Sequence, residues 1–294
     1  MMTTEKAAVL SIGRIYCDLI FTGLDELPVL GRELFAGDLE IAAGGGAYIA
    51  AAHLVDIGRP AALLARLGND ALSSVIGEKM KISGVDLQFI ERSTDAGPQV
   101  TVAAVVGQDR AFLTRRAGSA LPSTLDDALA WKKAQHLHIA EFATLHEVPD
   151  LVSRAKGKGM SVSLDPSWDA SLIYDDGILK ACDGVDVFLP NLEEATAITG
   201  HTEPDAALRK LAEGFSTVAL KVGGGGAWIS SAGKVWHAPA HDVDVVDTTG
   251  AGDAFNAGFI DAWLEQLHPQ KCLEAGITTG SRAVQVRGGA PRLS

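Results

Sequence analysis

Thirteen residues, Asp247-Thr248-Thr249-Gly250-Ala251-Gly252-Asp253-Ala254-Phe255-Asn256-Ala257-Gly258-Phe259, set small side chains directly before an apolar helical pattern. Gly250, Ala251 and Gly252 leave the first helical NH groups uncovered, so a negative oxygen can rest on them with help from the helix dipole. Asp253 falls in the first turn beside this anion hole, where it can accept a hydroxyl proton while developing phosphoryl charge sits on the amides. One turn then supplies both base and stabiliser. An ordinary helix start explains a bare GAGD equally well, because an acid favours the dipole and glycines shape a tight turn.

Other residues have chemistry within reach. Asp18 follows the first apolar run in Gly13-Arg14-Ile15-Tyr16-Cys17-Asp18, and a carboxylate there can accept two hydroxyl hydrogen bonds; a solvated loop acid is the plainer reading. Glu141, just past a strand ending at Ala140, is a second such carboxylate. In Pro190-Asn191-Leu192-Glu193-Glu194, Asn191 reads as a helix N-cap with acids in the first turn. Lys221-Val222-Gly223-Gly224-Gly225-Gly226 permits close approach of a ligand or forms a hairpin turn. His136 and His138 alternate on one strand face without a third ligand and read as core histidines. Arg110, Arg115 and Arg116 could meet phosphate but, on an exposed ribbon, read first as solvated charges. The glycine runs fail the dinucleotide fingerprint at its third glycine, Gly233-Lys234 lacks the rest of a P-loop, and no GxSxG occurs.

Short apolar runs alternating with alanine-rich helical patterns position these groups, the pattern of βα units around a mostly parallel sheet. Core strands are expected at Ala7–Ile12, Ala61–Ala65, His136–Ala140, Ser161–Leu164, Val185–Leu189 and Thr217–Val222. Helices are expected at Ala47–Ile57, Ala71–Ile82, Leu125–Trp131, Val148–Lys158, Glu193–Thr199, Asp205–Glu213, Gly252–Gln266 and Gln270–Val286. Leu34–Ile41, Gln99–Val106 and Arg110–Arg115, the last two joined by a turn at 107–109, read instead as antiparallel strands of a small lid with one wet face. The expectation is a single α/β domain over 1–294, with three layers and lid segments at about 14–42 and 97–116.

The extended string around Asp253 resembles the C-terminal signature of the ribokinase-like, or PfkB-type, carbohydrate kinases, and further landmarks in the right order carry the resemblance over essentially the whole chain. It implies a ribokinase-like fold and ATP-dependent phosphorylation of a sugar hydroxyl, with Asp253 as catalytic base and the 250–252 backbone as anion hole. Gly44-Gly45-Gly46-Ala47 resembles the family's diglycine signature, where backbone approaches the sugar, although Ile49 stands where the family often has a substrate-binding Asn. Asp18 matches the aspartate that grips sugar hydroxyls, with Tyr16 in place of an often smaller polar residue, and Glu141 is a weaker sugar contact. Asn191 and Glu194 match the Asn-x-x-Glu segment that acts on Mg²⁺ through water, while Lys221, Gly223 and Gly226 match the segment lying along ATP. Asp247 and Thr249 correspond to positions that help bind a monovalent cation, K⁺, in many members.

The 294 residues carry 25 basic and 37 acidic side chains, a net charge of −12 that opposes nucleic acid and anionic membrane as partners. Cys17, Cys182 and Cys272 are odd in number and form no CxxC, the first thirteen residues lack a signal-peptide core, and Ile41–Val55 contains His53 and a triple glycine. A cytoplasmic protein without a membrane span is expected, with a small sugar or nucleoside as partner and a homodimer formed through the lid. The alternatives are a nucleoside kinase of the same fold and a noncatalytic sugar or nucleotide sensor.

Overall fold

The computed structural model describes residues 6–107 and 109–291; Gln108, one of the residues of the expected lid turn, lies outside them. In chain order the elements are β1 (Ala8–Ile12), β2 (Tyr16–Leu24), β3 (Asp38–Gly44), α1 (Gly46–Asp56), β4 (Ala61–Leu67), α2 (Ala71–Ile82), β5 (Asp86–Arg92), β6 (Val100–Val106), β7 (Asp109–Arg115) and α3 (Leu125–Leu129). They continue as β8 (Ala134–Ile139), α4 (Phe142–Glu147), α5 (Leu151–Gly157), β9 (Ser161–Leu164), α6 (Asp176–Ala181), β10 (Val187–Phe188), α7 (Leu192–Thr199), α8 (Pro204–Leu211), β11 (Thr217–Lys221), β12 (Ala227–Ser231), β13 (Lys234–Ala238), α9 (Ala251–Leu264) and α10 (Pro269–Ala283).

The large sheet runs β13-β12-β11-β10-β9-β8-β1-β4-β5. Its pairs are parallel from β11 to β5, and β12 and β13 extend it as antiparallel strands. Strands such as Ala-Val-Leu-Ser-Ile in β1 are apolar at nearly every position because both faces are covered. Successive residues serve opposite layers: Leu10 and Ile12 pack with α3 to α8, whereas Val9 packs with α1, α2, α9 and α10. His136 and His138 of β8 alternate with Leu137 and Ile139 and so point to the second of these faces, where His136 meets Trp263 of α9; both are fully buried and bond to Ser161 Oγ and Ser163 Oγ at 2.8–2.9 Å. They are core histidines.

The second sheet runs β3-β2-β6-β7. Two features differ from the sequence expectation. Its central pair, β2 with β6, is parallel, so the sheet is mixed where antiparallel strands were expected. Its first strand to leave the core is β2, which carries Asp18 within a nine-residue strand where a loop was expected, and β3 begins at Asp38, four residues beyond the expected Leu34. The chain therefore passes directly from β1 into the small sheet and from β3 into α1. Among the described residues, no helix is long and apolar enough to cross a membrane.

Candidate active site

In open α/β sheets, ligands bind outside the carboxyl ends of the strands, beside the point where the strand order reverses. Here that point is β1, flanked by β8 and β4. The residues just past these carboxyl ends are Gly13 after β1, Glu141 after β8, Asp165 after β9 and Asn191 after β10, with Lys221 closing β11. The chemistry-bearing side chains thus converge because each ends a buried strand.

Gly250 caps α9 in the left-handed region at φ 70°, and a methyl there would lie 2.6 Å from Gly289 Cα, so the turn requires glycine. The Ala251 amide reaches Thr248 O at 3.3 Å, a long bond, while helix geometry leaves the Gly252 and Asp253 amides without intrahelical acceptors. Asp253 is half-buried in the first turn. Burial, and next the nearby Asp165 charge, push its carboxyl up to about 7, against the pull of Lys221.

The three glycines of the 44–46 run each accommodate a different close neighbour. A methyl on Gly44 would lie 1.9 Å from Asp18 Oδ2, one on Gly45 2.2 Å from Arg14 O, and one on Gly46 2.8 Å from Asp253 Oδ1. The run therefore brings the Asp18 and Asp253 carboxylates to its two ends. Burial alone raises the Asp18 carboxyl to about 7. Next to this run opens a cavity of about 610 Å³, walled by residues that include Arg14, Tyr16, Gly46, Arg116, Glu141 and Trp168. Glu141 Oε1 accepts from the Arg14 amide at 3.1 Å and Thr144 Oγ1 at 2.9 Å, and burial raises its carboxyl. Tyr16 and Arg116 line the cavity together, and Arg116 pairs with Asp169 at 2.5 Å. Ile49 is buried, with Cδ1 packed on Gly289, and is absent from the lining of this cavity.

Asn191 and Glu194 form a reciprocal capping box on α7: Asn191 Oδ1 accepts from the Glu194 amide at 2.9 Å, and Glu194 Oε2 accepts from the Asn191 amide at 2.8 Å. Burial first, then Asp165, raises the Glu194 carboxyl to about 7. Lys221 turns its ammonium inward. It donates to Asp165 Oδ2 at 2.6 Å and Asn256 Oδ1 at 3.2 Å, and Asn256 Nδ2 donates to the same Asp165 oxygen at 2.6 Å. Although burial opposes it, the carboxylates of Asp165 and Glu194 hold the Lys221 ammonium above its ordinary range. Asp165 Oδ1 also accepts from the Ser167 amide at 3.0 Å. Sequence reading names neither Asp165 nor Asn256. Asp165 carries the same signal as Glu141, a polar residue at the carboxyl end of a buried strand, and Asn256 lies inside the thirteen-residue string.

Gly223 to Gly225 make a single 3₁₀ turn between β11 and β12, and a methyl on Gly226 would lie 2.1 Å from Ala238 O. The turn geometry accounts for Gly226; at Gly223 and Gly224 the space beside the backbone is open. Asp247 Oδ1 accepts from the Thr249 amide at 2.9 Å and hydroxyl at 2.7 Å, and Asp247 Oδ2 from the Gly288 amide at 3.0 Å. Arg110 of β7 reaches this segment from the small sheet. Arg115 and Arg116 do not: Arg115 bonds to Pro98 O and Arg116 to Asp169.

The chain is 27% identical over 286 residues to the 2-dehydro-3-deoxygluconokinase of Bacillus subtilis, covering 91% of this chain and 86% of that protein. Its fold matches Arabidopsis thaliana ribokinase complexed with ribose and ATP at a TM-score of 0.83, with 23% identity over 96% of this chain and 94% of that one. It also matches a putative ribokinase II from E. coli in complex with ATP and Mg²⁺ at a TM-score of 0.77, with 22% identity over 97% and 94% of the two chains. The fold is ribokinase-like, with a large, mostly parallel sheet between helices and a smaller second sheet. Residues 6–293 match the model for pfkB family carbohydrate kinases, and the chain belongs to that family of sugar-phosphorylating enzymes.

Proposed function

We propose that this kinase transfers the γ-phosphate of ATP to a hydroxyl of a sugar or sugar derivative, with Asp253 as general base and the 250–252 backbone as anion hole. The observation that carries this reading is the position of Asp253: its Oδ1 abuts Gly46 on the cavity wall, while its backbone lies in the first turn of α9. A hydroxyl in the cavity can thus meet a base whose raised proton affinity suits abstraction near neutrality, beside amides that accept phosphoryl charge. Asp18, Gly44, Gly45 and Glu141 bind the acceptor's other hydroxyls and fix which one faces Asp253. The small sheet, over about 14–42 and 97–116, serves as the lid that excludes water from transfer.

Asn191, Glu194, Lys221, Gly223, Gly226, Gly250 and Gly252 form the nucleotide side. Asp165, Glu194 and Asp253 surround the single cation Lys221, and this excess of negative charge suits a divalent ion. Mg²⁺ keeps several waters and few protein ligands, and Glu194 would act on it through such a water. Mg²⁺ held there would supply positive charge to the phosphate oxygens. The expected K⁺ fits poorly, because Asp247 Oδ1 and Thr249 Oγ1 both accept from Arg110. Exposed Phe35, Phe112 and Leu113 on the lid support its pairing with a second copy.

The test is ADP release with a panel of ketoses, aldoses, sugar acids and nucleosides. Turnover of a sugar or sugar acid with formation of its phosphate ester is expected. Preference for a nucleoside over every sugar, or ATP consumption with no ester formed, overturns the reading.

A further inference from the structure

Arg110 stands one residue into β7, opposite Val105 of β6, at the outer end of the small sheet. Its guanidinium leaves that sheet for the core. Nη1 donates to Asp247 Oδ1 at 2.9 Å and to Thr249 Oγ1 at 2.8 Å, and Nη2 donates to Thr248 Oγ1 at 2.8 Å. These acceptors are three consecutive residues, and the next is Gly250, the N-cap of α9. The Arg110 and Asp247 side chains are only 27% and 16% exposed, which makes the pair more than a solvated surface contact. A planar fork suits this work, because its donors diverge at fixed angles toward several acceptors at once.

An inorganic cation on the oxygens of Asp247 and Thr249 would compete with the guanidinium that already uses them. We propose that Arg110 is a positioning residue acting as a lid-borne cation: closing the lid brings its charge onto residues 247–249 and orders the segment that leads into the anion hole, in place of a free monovalent ion. The proposal rests on assigning the 250–252 backbone as that hole. A free ion binds whether the lid is open or shut, whereas a charge carried by β7 arrives only on closure. Assembly of the hole is thereby tied to covering the acceptor, and transfer to water is disfavoured.

The test compares wild type with Arg110→Met and Arg110→Lys in chlorides of potassium, sodium and tetramethylammonium at equal ionic strength. The first readout needs no sugar: hydrogen exchange at the Thr249 and Ala251 amides, which bond to Asp247 Oδ1 and Thr248 O. In Arg110→Met these amides are expected to exchange about 10- to 100-fold faster, the range that charge-assisted hydrogen bonds carry, with K⁺ restoring part of the protection. Wild type should be indifferent to the ion, and Arg110→Lys, charged but without the fork, intermediate. In turnover of the acceptor found by the panel, Arg110→Met should lose kcat by about the same factor with the KM for MgATP nearly unchanged. Unchanged exchange in Arg110→Met, or K⁺ protection equally large in wild type, overturns the proposal. Asp253→Asn run in parallel separates the two readings: if Asp253→Asn is inactive while Arg110→Met matches wild type, only the latch fails. If Asp253→Asn turns over normally, the anion-hole assignment itself fails.

Discussion

Replacing Asp253 by Asn should make the protein slower and, above neutrality, more stable. Its carboxyl is raised from 3.8 to about 7, chiefly by burial and next by Asp165. A group whose folded pKa lies above its unfolded value binds its proton more tightly in the native state. Its stabilising contribution is therefore intact near pH 4 and is lost as pH rises through about 7. The rise is about three pH units, and at ~1.36 kcal/mol per unit the upper bound is ~4 kcal/mol. Partial exposure of the side chain reduces the expected effect to about 2 kcal/mol. Asn keeps the shape without the charge, so urea unfolding should show the variant equal to wild type near pH 4 and about 2 kcal/mol more stable near pH 8. In a coupled ADP assay its kcat should fall by roughly 10² to 10⁴, the usual general-base contribution, while MgATP binding is kept. Wild-type kcat/KM should fall about tenfold per pH unit below about 7. A variant with normal turnover, or with the same stability difference at both pH values, refutes the reasoning.

Glu194→Gln keeps the capping box, because Gln serves at the third helical position as Glu does. It should unfold like wild type near pH 4 and, by the sign worked for Asp253, be the more stable above pH 7, yet need about tenfold more Mg²⁺ or ATP, whereas Glu194→Ala should lose about 1 kcal/mol near pH 4 with the capping box. Gly46→Ala, which places a methyl 2.8 Å from Asp253 Oδ1, should fold and bind MgATP while kcat drops by about tenfold or more, as steady-state kinetics would show. Asp18→Asn should raise the acceptor KM by about tenfold. By the sign already worked for Asp253, it should also stabilise the protein above pH 7 and not near pH 4.

Strands buried on both faces announce themselves as unbroken apolar runs, and Ser161–Leu164 is found at the expected residues. The edges of the sheets do not. β5, β12 and β13 mix Glu, Arg, Lys and Ser with apolar residues, since only part of each is covered, and sequence reading assigns them no element. At β2 the run Tyr-Cys-Asp-Leu-Ile-Phe-Thr-Gly-Leu carries an acid that chemistry marks as a ligand group, which hides its role as the central strand of the small sheet. Leu34 and Phe35 suggest a strand by composition, yet Phe35 is 78% exposed, and pairing with β2 selects Asp38–Gly44 instead. The candidate site was legible only as local geometry, where one turn holds its parts, as in the helix start at 250–253. Asp165 and Asn256 become partners only through a contact 91 residues apart, and the link from Arg110 to Asp247 spans 137. Such pairings follow from strand order and from how the small sheet folds over the core.

Asp165 grips three separate walls with one carboxylate: the Ser167 amide beside the cavity, Lys221 at the end of β11, and Asn256 on α9. Those walls consequently behave as a single fixed jaw, and a shift of any one of them would strand a buried charge. The small sheet, by contrast, joins the core at four passages, where β1 leads into β2, β3 into α1, β5 into β6 and β7 into α3. The first two of these passages run side by side, since a methyl on Gly45 would lie 2.2 Å from Arg14 O, so glycine at 45 is what lets the chain leave and re-enter the core at one point.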